Sequence, residues 1–142
     1  MKNKIYEFDM VIYPYPLLVT KLVDGKEIMD RFYRVKDSHT LVDFEDDDVK
    51  LAGTVVARTC IVVDKIKNRM CFLVLLSSDK LSVGTMTHEA GHVSTFLGAW
   101  LGFQTRNPEN DEPYAYIDEF VTDCIYQTCR HHPEKMNGQL LE

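Results

Sequence analysis

The residues His88-Glu89-Ala90-Gly91-His92 read H-E-x-x-H. On a helix, positions i and i+4 lie on one face, so the two imidazoles can grip a single Zn²⁺. Glu89 lies about 100° round the helix from His88, where its carboxylate can reach water beside the metal. This is the chemistry of metal-assisted hydrolysis, with Glu89 as general base. A catalytic zinc usually takes three protein ligands and leaves one position open. A third ligand is therefore expected from elsewhere, and two carboxylates downstream are candidates, Glu112 and Glu119.

These residues need a helix to carry them. Ser82 is a suitable N-cap for a helix running to about Gly102. Met86, Ala90, Val93, Leu97 and Trp100 or Leu101 recur at steps of three and four and form its core stripe. His88 and His92 fall off that stripe, on a face shared with Thr85, Thr95 and Ala99. A second helix begins near Asp111 to Pro113, with Asn110 or Asp111 as cap and Tyr114, Ile117, Val121, Cys124 and Ile125 as its apolar stripe. Glu112, Tyr116, Glu119 and Asp123 share another face of that helix. The short polar loop from Gln104 to Asn110 favours an antiparallel pair of helices. With a turn centred near residue 106, His92 lies opposite about residue 120, which points to Glu119.

Before residue 80 the signals are those of strands. Phe8 to Tyr13 and Leu17 to Val23 are rich in β formers and are separated by Pro14-Tyr15-Pro16. Asp24-Gly25 is a turn signal, and Ile28 to Val35 reads as a strand or a short helix. Thr54 to Val63 and Met70 to Leu76 are the clearest strands, joined by the polar stretch Asp64 to Arg69. Met70 to Ser77 leads directly into the His88 helix and belongs to the neighbouring sheet. The expected fold is α+β. A mostly antiparallel sheet over residues 5–77 packs on the helix of His88 and His92, and the Glu112 helix follows. The chain is expected to be one domain, with a β-rich part (1–80), a two-helix part (81–130) and a polar, partly mobile tail (131–142).

The composition, 45% hydrophobic and 27% charged over 142 residues, is that of a globular domain with a real core. A net charge of −6 argues against nucleic acid as a partner. The acidic run Asp43-Phe44-Glu45-Asp46-Asp47-Asp48 reads as a solvated loop. No targeting segment is expected, since Lys2 and Lys4 are followed by Tyr6, Glu7 and Asp9. The longest apolar run, Phe72 to Leu76, is too short to span a bilayer. A cytoplasmic address without membrane association follows as the expectation, with Cys60, Cys71, Cys124 and Cys129 reduced. Cys60 and Cys71 are placed to face each other across a hairpin. Cys124, Cys129, His131 and His132 match no standard zinc spacing.

The H-E-x-x-H pattern followed by a helix-borne glutamate resembles the gluzincin-type zinc metallopeptidases. The stretch Asp111-Glu112-Pro113-Tyr114-Ala115-Tyr116 is similar to the third-ligand region of small zincin domains, including proteases of the ImmA/IrrE type and short phage-encoded proteins. The resemblance covers residues 82 to 125. It implies Zn²⁺ held by His88, His92 and Glu112, with Glu89 as base, and so leaves Glu112 and Glu119 as alternatives for the third position. Tyr116, on the face of Glu112, is the candidate donor to an oxyanion. The implied substrate is a peptide or protein, cut by metal-activated water. The Phe103 to Asn110 loop and Tyr13 to Tyr15 are candidate walls of a cleft. The competing reading is a catalytically inactive zincin-like domain that works as a protein-binding module.

Overall fold

The computed structural model describes residues 2–37, 39–103 and 105–142. Its elements are β1 (Ile5–Phe8), β2 (Leu17–Lys21), α1 (Gly25–Arg31), β3 (Phe32–Lys36), β4 (Thr40–Asp43), β5 (Ala57–Asp64), β6 (Arg69–Leu76), α2 (Val83–Leu101), α3 (Glu112–Cys129) and β7 (Gln139–Leu140). Short 3-10 turns cover Asp46–Val49 and Pro133–Met136. The strands form one mixed sheet in the order β4-β3-β5-β6-β2-β1-β7. Neighbours are antiparallel except β2 and β6, which run parallel with Leu17 beside Phe72. The α+β class and the mostly antiparallel sheet expected from the sequence are present.

The apolar run of β6 is explained by burial on both faces. Phe72, Val74 and Leu76 point into a core shared with Met86, Ala90, Val93 and Leu97 of α2 and Ile117, Val121 and Cys124 of α3. Cys71, Leu73 and Leu75 point the other way, into a second core with Ile28 of α1, Phe32 and Phe44. A strand covered on both sides has no polar face to alternate, so it reads as a continuous hydrophobic run. The second covering layer is not apparent in the sequence, because α1 has only seven residues. It is fixed by capping: the Asp24 side chain accepts the Lys26 N–H at 3.0 Å.

Several boundaries differ from the expectation. The first strand is Ile5–Phe8 rather than Phe8 to Tyr13. Beyond it the Asp9 side chain takes the Val11 N–H at 2.8 Å, and Val11 adopts a left-handed backbone that no strand accommodates. Ile28 to Val35 is both things in turn, the end of α1 and the start of β3. The acidic run forms the Asp46–Val49 turn, closed by reciprocal Glu45 and Asp48 side-chain bonds to the backbone, and Phe44 within it is buried. The polar tail is held: Leu141 and Pro133 are buried, and β7 pairs with β1 through Tyr6 and Leu140. Its anchors are single apolar residues in a polar stretch, too sparse to set a period. Among the described residues, no helix is long and apolar enough to cross a membrane.

Candidate metal centre

The helix that carries the motif matches its sequence signals. The Ser82 hydroxyl accepts the Thr85 N–H at 3.1 Å, and the helix ends at Gly102, whose φ of 74° suits glycine. Met86, Ala90, Val93 and Leu97 are buried against the sheet, and that seating turns His88 and His92 outward, where both are exposed. Their Nε2 atoms lie 3.2 Å apart, with the rings edge to face. The His92 ring also stacks on Phe96, one turn on. Two nitrogens at zinc distances of about 2.0–2.1 Å in a tetrahedral set lie about 3.3 Å apart. The observed spacing therefore fits two ligands of one ion.

Glu89 behaves differently from its neighbours. It points inward and is only 3% exposed. The Thr59 hydroxyl of β5 lies 3.5 Å from the Glu89 carbonyl oxygen and 3.4 Å from Oε1, long contacts that tie the carboxylate to the sheet. His88, Glu89 and His92 present ligand atoms all within 4.8 Å of one another. Two imidazole nitrogens and a carboxylate form a donor set suited to zinc.

Glu112 and Glu119 do not join this group. Glu112, Tyr116, Glu119 and Asp123 do share one face of α3, but that face is turned to solvent, with Tyr116 67% exposed. The reason is the side on which α3 packs. A Cβ placed on Gly98 would meet the Tyr114 ring at 2.5 Å, so α3 crosses α2 at Gly98. Gly98 lies about 120° round α2 from His92, on the far flank. The hairpin rule places Glu119 at the level of His92 along the axis but says nothing about this rotation. Asp118, its neighbour, is engaged with Arg106 at 2.8 Å.

A cavity of about 560 Å³ adjoins His88 and Glu89. It lies between the Thr54–Ala57 segment and the first turn of α2, not between the walls expected from the sequence. Thr59 was missed as well. Its signal is present in the alternation of β5, where Ala57, Thr59, Ile61 and Val63 share one face and threonine is the polar member. The Phe103 loop and the Tyr13–Tyr15 segment instead pack together at the other end of α2, through Tyr13–Phe103 and Tyr15–Trp100 ring contacts.

The four cysteines are free and buried. Cys60 sits opposite Leu73 and Cys71 opposite Val62, so the two do not face each other across the hairpin. Burial pushes the Cys60 and Cys129 thiols up to about 11 and the Cys71 thiol up to about 12. Cys124 moves in the same direction for the same reason. Among the described residues, Cys124, Cys129, His131 and His132 form no metal-ligating group. Compared with protein-family models, with curated proteins and with solved structures, the chain has no significant match.

Proposed function

We propose that this chain is a zinc-dependent hydrolase acting on a peptide bond, with His88 and His92 holding the metal and Glu89 moving the proton. The observation that carries the reading is the 3.2 Å approach of the two Nε2 atoms beside a buried carboxylate. A zinc ion held by His88 and His92 would supply Lewis acidity, acidifying water and polarising a carbonyl. Glu89 accepts the proton on a carboxylate oxygen and returns it to the leaving amine. Thr59 orients that carboxylate, which is buried. The histidines need only their rotamers, and His92 has its ring steadied by Phe96.

A peptide substrate is favoured by the sheet. The Ser77 N–H bonds to the Val56 carbonyl, so by antiparallel alternation Val56, Arg58, Cys60 and Val62 turn their main chain toward β6. Ala57, Thr59 and Ile61 then turn theirs the opposite way. On that side β3 pairs with β5 only from Val62 to Asp64. The strands part beyond it, leaving a cleft of about 490 Å³ between Val35 and Ile61 under Phe96 and Trp100. An extended peptide can add to such an edge through main-chain hydrogen bonds. The Thr59 link to Glu89 sets the chemistry beside it.

One observation favours a second reading. The group contains two histidines and Glu89, and Glu112 is not in it. If Glu89 is itself the third ligand, the site holds metal without a free base, and the domain works by binding another protein. Elemental analysis and a peptide-library digest of the parent, His88→Ala/His92→Ala and Glu89→Gln distinguish the two. The expected outcome is one zinc in the parent, none in the double variant, and full zinc with at least 100-fold lower hydrolysis in Glu89→Gln. Loss of zinc from Glu89→Gln supports the binding module. A parent that takes up no zinc removes both.

A further inference from the structure

A second cavity, of about 280 Å³, lies over β1 and β2, on the other side of β6 from the motif's strand β5. Lys2, Lys4 and Lys21 line it, together with Tyr6, Asp79 and His131. Three ammonium groups thus meet one carboxylate in a chain whose net charge is −6. The strand register aligns two of them. Ile5 stands opposite Thr20, so the next step of that antiparallel pair brings Lys4 to Lys21. Like charges directly opposite each other on two strands destabilise a sheet, and an anion between them reverses the sign. Asp79 is already engaged: its Oδ2 lies 3.4 Å from Lys21 Nζ and 3.4 Å from His131 Nε2. His131 reaches it from the left-handed backbone, φ 63°, that ends α3. Asp24 meets Lys2 at 3.9 Å from outside the cavity lining. Among the described residues, Lys4 has no ion-pair partner and the Tyr6 hydroxyl has no hydrogen bond.

We propose that this cavity binds a phosphate group, free or at the end of a small monoester, at a site separate from the metal centre. Three lysines less Asp79 leave two positive charges with His131 counted neutral, which balance the roughly 1.5 to 2 negative charges of a phosphate monoester near neutral pH. A planar carboxylate is matched by the fork of arginine, and no arginine lines the cavity. Ammonium groups are compact point charges with three donors each, so they can close around a tetrahedral anion from several sides. The Tyr6 hydroxyl adds a neutral donor. The volume sits just below the roughly 300–1,000 Å³ of ordinary ligand pockets, which restricts the ligand to a small one. Nothing in this inference depends on peptide hydrolysis.

The experiment is an amide-proton NMR titration of the whole chain with inorganic phosphate, methyl phosphate and acetate at constant ionic strength. The result expected is a saturable shift of the Lys4, Tyr6 and Lys21 resonances with both phosphates, and weaker binding of acetate. Tighter binding of methyl phosphate assigns a monoester, and tighter or equal binding of inorganic phosphate assigns the free ion. Lys4→Gln should weaken phosphate by about five-fold or more without lowering the thermal midpoint, since Lys4 has no partner to lose. Tyr6→Phe, which removes only the hydroxyl, should weaken it by about three-fold. Lys67→Gln makes the same charge change on the β5–β6 turn and should leave the affinity as it is. No saturable shift at these residues, acetate binding as tightly as phosphate, unchanged affinity in Lys4→Gln and Tyr6→Phe, or an equal loss in Lys67→Gln would overturn the proposal. So would a shift confined to the amides around His88 and His92, which would place the anion on the metal centre instead.

Discussion

Asp64 is fully buried and holds three partners at once. Arg31 meets it through Nε at 3.1 Å and Nη2 at 2.9 Å, and the Ile66 and Lys67 N–H groups bond to its Oδ1. Burial alone raises its carboxyl, but the Arg31 hydrogen bonds and the two backbone donors outweigh that and hold it below its ordinary 3.8. A carboxylate with a depressed folded value stabilises the fold above its unfolded value. That contribution fades as pH falls through the folded one. Asp64→Asn should therefore cost about 3–5 kcal/mol near neutral pH, because it leaves the Arg31 charge buried and unpaired. In urea titrations from about pH 5 down to about pH 2, the gap between variant and parent should narrow. A gap independent of pH would show that the pair contributes nothing through ionisation.

At the scale of elements, the contact between α2 and α3 is set by one absent side chain. Gly98 lets the Tyr114 ring lie directly on the helix backbone. Alanine is a better helix former by about 1 kcal/mol, yet here its methyl would collide with the ring. Gly98→Ala should destabilise the protein by about 1–2 kcal/mol net in chemical denaturation, and Gly98→Val by more. A stabilised Gly98→Ala would mean that the Tyr114 ring yields easily. The same contact marks where the sequence stops being informative. The Ser82 cap, the Met86 to Leu97 stripe and the outward histidines follow from local chemistry and helical period, and the structure has them where the pattern puts them. The stripe of α3 likewise predicts which of its residues are buried. Neither stripe specifies on which flank of α2 the second helix settles, because both cores use the same residue types. The family resemblance points to Glu112 and the hairpin spacing to Glu119, and neither contains that rotation; neither glutamate joins the group of His88, Glu89 and His92.

At the scale of the molecule, a sheet covered on both faces separates the chemistry from the bulk of the packing. The helices α2 and α3 take one face, and α1 with Phe44 and Val49 takes the other. The strand order puts the motif helix over β5, whose free stretch from Ala57 to Ile61 is an internal opening in the sheet rather than its outer edge. The sequence pattern identified β2, β5 and β6 but not β4 or β7, and not the strand order, since a parallel pairing between β2 and β6 leaves no local signal. That pairing also orders assembly. The β5–β6 hairpin closes through a short turn, with the Asn68 N–H on the Asp64 carbonyl at 2.7 Å, whereas Leu17 must find Phe72 across 55 intervening steps of chain. Closing the longer loop costs more entropy and comes later. Pulse-labelled hydrogen exchange during refolding should find β5 and β6 amides protected before those of β1 and β2. Simultaneous protection would contradict this order.

The late arrival of β2 has a consequence for handling the protein. Until β2 docks, one edge of β6 is bare, and its Phe72-Leu73-Val74-Leu75-Leu76 run carries no charge and no proline to discourage another chain from pairing there. Aggregation should therefore compete with refolding at this strand, and the recovered yield should fall as protein concentration rises.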